Sequence, residues 1–180
     1  AIHRSDKDAK YFLKKTYDAS KMEPVVAKPH SPDNKALVRE CENVKLDRSY
    51  IGSCTGGKTT DFLAAAKLLK GKTVKIETFI VPATREVEKD LHAQKIDGET
   101  LADIFKKAGA HIGEPSCAAC LGGPQDTFGR THASEVVIST TNRNFPGRMG
   151  SKKSQVYLAS PYTAAASALT GHITDPREFM

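Results

Sequence analysis

From Asp47 onward the apolar positions fall into blocks whose period changes along the chain. SYIG (49–52) reads as the end of a short strand. TTDFLAAAKLLKG (59–71) has apolar residues at helical spacing, opens on threonines and is closed by Gly71, and TVKIETFIVP (73–82) is an apolar run of strand length. Together these three blocks predict a β-α-β unit. The spacing predicts further helices over 84–95 and 99–108, strands over 135–140 and 155–159, and a helix in PYTAAASALTG with Pro161 in its first turn. Strands alternating with helices imply an α/β fold, a mainly parallel sheet with helices on both faces. Ahead of this core, residues 5–18 (SDKDAKYFLKKTYD) group Tyr11, Phe12 and Leu13 among polar positions and predict a short amphipathic helix. The three prolines of MEPVVAKPHSPDNKA then predict an extended connector. The expected organisation is a single domain over 1–180, with helix and connector in 1–45 and the core in 46–180.

Composition narrows this picture. A chain of 180 residues with 39% apolar content can bury one proper core, and no apolar stretch approaches the roughly 20 residues of a membrane span. The start AIHRSDKDAKYF contains no apolar signal-peptide segment, so a soluble protein is expected. The net charge of +6 comes from scattered lysines and arginines, and aromatics are few with no Trp, which argues against nucleic acid as a partner. An anionic small substrate suits the same balance. Four cysteines (Cys41, Cys54, Cys117, Cys120) without a secretory segment argue for a reduced compartment and for metal or redox chemistry, with Cys41 read as a stray thiol.

The turn YIGSCTGGKTTDF (50–62) poses a choice. Gly52-x-x-x-x-Gly57-Lys58-Thr59 fits the phosphate-cradling P-loop, and it stands between a strand-like and a helix-like run. However, FIVPAT, VVISTT and YLASPY all end without the carboxylate that would hold magnesium. The alternative is metal. PSCAACLGGP sets Cys117 and Cys120 three residues apart in a Pro/Gly-bounded loop, with Cys54 as a third thiolate. Cys41 would complete a four-ligand zinc site, whereas three thiolates suit an iron–sulfur cluster with one open iron. In TNRNFPGRMG (141–150), Arg143 and Arg148 flank a Pro-Gly turn where guanidinium forks can grip a carboxylate. In a parallel sheet the loops holding Cys54, Thr141 to Arg148 and Ser160 to Tyr162 would share the rim beyond the strands' carboxyl ends.

These motifs resemble the aconitase superfamily and, within it, the large subunits of isopropylmalate dehydratases. YIGSCTGGKTTDF, PSCAACLGGP, STTNRNFPGRMG and YLASPYTAAASALTG…DPREF follow that family's order and spacing, with 63 residues from Cys54 to Cys117 and 22 from Cys120 to Asn142. The resemblance implies an aconitase domain 3-like fold and a [4Fe-4S] cluster held by Cys54, Cys117 and Cys120. It further implies Asn142 beside the cluster, and Arg143 and Arg148 on the carboxylates of a di- or tricarboxylate hydroxy acid. The implied reaction interconverts 2- and 3-isopropylmalate by dehydration and rehydration. Gly56 and Ser116, where many relatives have Asn and Gly, resemble the plant and algal branch and imply a plastid enzyme. Upstream domains and a small subunit carrying the base are the implied partners, so these 180 residues alone are expected to be inactive. The rival expectations are homoaconitase- or aconitase-type specificity, a four-cysteine zinc module, or an RNA-binding role.

Overall fold

The computed structural model describes residues 3–180. In chain order its strands are β1 (Val25–Ala27), β2 (Lys35–Leu37), β3 (Arg48–Gly52), β4 (Glu77–Val81), β5 (Lys95–Ile96), β6 (Glu99–Thr100), β7 (His111–Ile112), β8 (Val136–Ser139) and β9 (Gln155–Leu158). The helices are α1 (Ser53–Gly56), α2 (Thr59–Leu69), α3 (Arg85–Ala93), α4 (Leu101–Lys107) and α5 (Pro161–Thr170). Seven strands form one sheet in the order β2-β1-β9-β8-β3-β4-β7. The run from β9 to β7 is parallel, and β1 joins β9 antiparallel. The expected mainly parallel α/β sheet is therefore observed.

The faces of the sheet are covered differently. Alternation along each strand sends Ile51, Ile80, Ile138 and Tyr157 to one face, where α2, α3, α4 and α5 bury Phe62, Leu69, Leu91, Phe105 and Leu169 against them. Phe62 and Phe105 meet edge to face at 5.9 Å, and burying such side chains contributes roughly 1.5–3 kcal/mol each. Tyr50, Phe79, Val81, Val137 and Val156 point to the opposite face and are covered by Ala119 and Met149. Those two residues belong to the β7–β8 and β8–β9 connections, so loops stand where the alternating pattern suggested helices. The reason is directional. From β3 the chain steps one way across the sheet to β4 and β7, then returns to β8 and β9 on the other side. Right-handed crossovers therefore lie on opposite faces, and the second pair of connections is too rich in Gly and Pro for a long helix.

Three boundaries differ from expectation. Residues 5–18 are not helical. Tyr11, Phe12, Leu13 and Tyr17 are exposed, and only a 3-10 turn, Ala19–Lys21, follows, capped by Asp18. A helix of that length has little intrinsic stability in water, and no apolar surface lies against it. The proline-rich connector is extended, but it folds back as the β1–β2 hairpin with Val26 and Ala36 buried. The run 73–82 becomes a strand only at Glu77. Before it, the Val74 and Lys75 amides bond the carbonyls of Ala108 and Ala168 instead of a neighbouring strand. Asp97 and Gly98, both with positive φ (49° and 84°), make the tight turn between β5 and β6.

Candidate functional site

Because β3, β7 and β8 run parallel, the loops leaving their carboxyl ends emerge on one rim. Cys54 lies in α1, immediately after β3. Cys117 and Cys120 lie in the connection after β7, the latter within a 3-10 turn, Ala119–Leu121. Asn142, Arg143 and Arg148 follow β8. Ser160 and Tyr162 follow β9, parallel to β8, and so leave the same rim, but their side chains are used locally. The Ser160 hydroxyl caps α5 by accepting from Thr163 N at 3.2 Å, and Tyr162 packs on the helical side of the sheet.

The first cysteine turn is shaped by its neighbours. Thr140 Oγ1 accepts from Gly52 N at 2.9 Å and donates to Gly56 O at 3.2 Å, tying the turn to the end of β8. A Cβ on Gly56 would stand 2.2 Å from that hydroxyl oxygen, so glycine is required by Thr140. The phosphate-cradle pattern is filled in the same way. Gly52 and Gly57 lie against Val81, and the Thr59 hydroxyl donates to Asp90 at 2.5 Å rather than standing free for a metal. Instead of a cradle, the turn presents a thiol.

Cys54 N donates to Cys117 Sγ at 3.2 Å, which brings the two loops into contact. The Cys54 thiol is exposed. Hydrogen bonds from the Cys117 and Thr55 side chains lower its pKa, with help from the charge of Arg148. Burial, followed by the neighbouring Cys54, pushes the Cys117 thiol up. Cys120 is buried, and Arg148 Nη2 reaches its sulfur at 3.6 Å. The Arg148 guanidinium also lies over Phe145, 5.6 Å from the ring centroid, while its Nε is buried without a partner. Arg148 thus belongs to the cysteine cluster. Asn142 and Arg143 are exposed on the same loop, and among the described residues neither side chain has a hydrogen-bond or ion-pair partner.

Cys41 is elsewhere, buried in the helical-side core with its thiol pushed up by that burial. It shares no site with the other three. The place of Cys41 in the helical-side core keeps it out of any four-cysteine zinc site, and among the described residues no three His, Cys, Asp or Glu side chains, Cys54, Cys117 and Cys120 included, are grouped tightly enough to hold a single metal ion.

Several residues that shape the site carried no motif. The buried Tyr50 hydroxyl bonds Ser53 Oγ at 2.8 Å just before Cys54. Burial pushes its pKa up strongly, and the nearby charges of Cys120, Cys117 and Cys54 add to the shift. Asn144 is 1% exposed, and its amide donates to Lys28 O at 2.9 Å and Val156 O at 3.0 Å, fixing the arginine loop to the β1–β9 edge. Polar residues at strand ends, in register with a buried face, were the available signal.

Comparison with known proteins identifies the family. The model of the aconitase family (aconitate hydratase) matches residues 34–171. The chain is 60% identical to the chloroplastic 3-isopropylmalate dehydratase large subunit of Arabidopsis thaliana, over 98% of this chain and 36% of that protein. It is 46% identical to 3-isopropylmalate dehydratase large subunit 1 of Methanopyrus kandleri, over 97% of this chain and 40% of that protein. It is also 48% identical to a probable methanogen homoaconitase large subunit of Methanosarcina mazei, over 97% of this chain and 42% of that protein. The chain therefore spans about two fifths of the length of the curated relatives it matches. With the family model covering both cysteine loops and the arginine loop, the chain belongs to the aconitase family.

Proposed function

We propose that this chain is the cluster-bearing part of an isopropylmalate isomerase large subunit, interconverting 2- and 3-isopropylmalate by dehydration and rehydration in leucine biosynthesis. The observation that carries the reading is the contact of the Cys54 backbone N–H with Cys117 Sγ, which joins two separate loops, with Arg148 reaching Cys120 Sγ on the same rim. The donor set fits a [4Fe-4S] cluster. Three thiols stand on one rim, a guanidinium adjoins them to offset thiolate charge, and the buried Arg148 Nε lacks an acceptor. When bound, such a cluster supplies a Lewis-acidic iron to which a substrate hydroxyl can be lost.

The chain's own residues would do the rest of the work at this rim. Cys54, Cys117 and Cys120 would be the ligands. Arg143, exposed and unpaired among the described residues, would grip a substrate carboxylate through two parallel N–H donors. Arg148 would orient a carboxylate while its stacking on Phe145 fixes the plane of its fork. Asn142 would lie beside the cluster. The base would come from a separate small subunit and further acidic and histidine groups from other domains of the subunit, so these 180 residues alone would not turn over substrate. The 60% identity to the chloroplastic 3-isopropylmalate dehydratase relative supports isopropylmalate as substrate and a plastid location.

The test is anaerobic reconstitution of the complete large subunit with iron and sulfide, followed by assay with its small subunit on isopropylmalate and on homoaconitate. Cys117→Ser and Cys120→Ser should each abolish cluster absorbance and isopropylmalate turnover, and Cys41→Ser should retain both. Equal loss in the Cys41 variant, or turnover of homoaconitate alone, would overturn the proposal.

A further inference from the structure

Ser53 links the buried strand β3 to the exposed Cys54, and its backbone has a φ of 65°. For a residue with a side chain this left-handed conformation costs free energy and persists only where the surroundings hold it. Its hydroxyl is fully buried, and among the described residues its only hydrogen-bond partner is the Tyr50 hydroxyl, at 2.8 Å. Tyr50 is itself immobilised. It is 1% exposed, packs with Phe79 and Met149 on the loop-covered face, and is overlaid by Gly129 (φ 79°), where a Cβ would come within 2.7 Å of the ring. One phenol therefore joins the β3 strand, the turn that presents Cys54, and the connection that carries Cys117 and Cys120.

We propose that Tyr50 is a positioning residue for the cluster: through Ser53 its hydroxyl holds the left-handed turn that aims the Cys54 thiolate at the other two cysteines. The inference rests on the cluster reading above. It differs from ligation, because Tyr50 touches neither iron nor substrate. Removing its hydroxyl leaves the ring, and hence the packing of β3 and Gly129, in place. What is lost is the partner of a buried Ser53 Oγ, so the turn is free to relax and Cys54 to swing from its position.

The test compares the complete large subunit in wild-type form, as Tyr50→Phe, as Ser53→Gly and as the double variant. The readouts are iron content and visible absorbance after anaerobic reconstitution, and the rate of cluster loss to a chelator. Tyr50→Phe should lower the melting temperature by only about 2–4 °C, the effect of one unpaired buried hydroxyl, yet lose the cluster about tenfold faster, the usual scale for a group that orients a ligand. In the Ser53→Gly background, where glycine takes a positive φ freely and no hydroxyl needs a partner, adding Tyr50→Phe should change the rate no further. An unaltered rate in Tyr50→Phe, or an undiminished tenfold effect in the Ser53→Gly background, overturns the inference while leaving the cluster reading intact. A wild-type subunit that takes up no cluster overturns both.

Discussion

Arg143 and Arg148 leave the same strand end but meet different surroundings, and the difference sets what each substitution should do. Arg143 is exposed and has no partner among the described residues, so Arg143→Lys should leave stability within about 0.5 kcal/mol. If it holds a carboxylate, exchanging a two-pronged donor for a point charge should lower kcat/KM at least tenfold, about 1.4 kcal/mol of transition-state stabilisation. Arg148 lies on Phe145 and against Cys120. Arg148→Lys should therefore cost ~0.5–1 kcal/mol of folding stability as well as activity. Denaturant unfolding beside steady-state kinetics checks both, and an Arg143→Lys subunit with wild-type kinetics would remove that residue from the site. At this scale the chain had announced its cysteines and arginines through spacing, because ligands and anion grips need particular residue types. Tyr50, Thr140 and Asn144 stayed silent, since an ordinary buried polar residue acquires its role only from the partner that folding brings to it.

At the scale of elements, the turn from β3 into α2 is fixed by close approach. Gly56→Ala would press its Cβ onto Thr140, where both side-chain and backbone atoms are nearer than van der Waals contact allows, and should destabilise the fold by about 1–3 kcal/mol. A melting curve for that variant equal to wild type would show that β8 and the cysteine turn are not coupled. The C-terminal 3-10 turn, Pro176–Phe179, gives a pH signature. Its cap Asp175 accepts from the Arg177 amide at 2.9 Å and from the Arg177 guanidinium at 3.0 Å, which holds the Asp175 carboxyl below its ordinary 3.8. A folded-state pKa below the unfolded one means the stabilisation is present above pH 3.8 and is lost as pH falls through the folded value. Because Arg177 is about half exposed, solvent screening limits the contribution to ~1 kcal/mol or less. Asp175→Asn should accordingly be less stable than wild type at neutral pH, with the gap closing in strong acid. Chemical denaturation across pH measures it, and a gap that persists in acid would contradict the assignment.

For the whole molecule, the two apolar layers are assembled without Cys54, Cys117 or Cys120. The helical face buries Ile51, Ile80, Ile138 and four helices, and the loop-covered face buries Tyr50, Phe79 and Met149. A chelator should therefore leave the far-ultraviolet circular dichroism of this chain unchanged, with any loosening confined to the loops after β3, β7 and β8. Loss of secondary structure on chelation would mean that the metal site is part of the core. The exposed Tyr11, Phe12, Leu13 and Tyr17 add nothing to either layer, so the segment before β1 does not enter this balance.

What the sequence determined by itself was local. Period and turn chemistry located α2, α3, α4, α5 and strands β3, β8 and β9, because those patterns reflect backbone geometry and burial on one face. Motif order located the thiols and arginines. The tertiary structure alone decided that 5–18 would not be a helix, since an amphipathic stripe becomes helical only against a surface that buries it. It alone turned the proline-rich connector into a hairpin on the edge of the sheet. It also separated Cys41 from the other cysteines and set Tyr50 beneath them, because which face of the sheet a residue joins depends on strand order and the hand of the crossovers, neither of which is written in any local stretch.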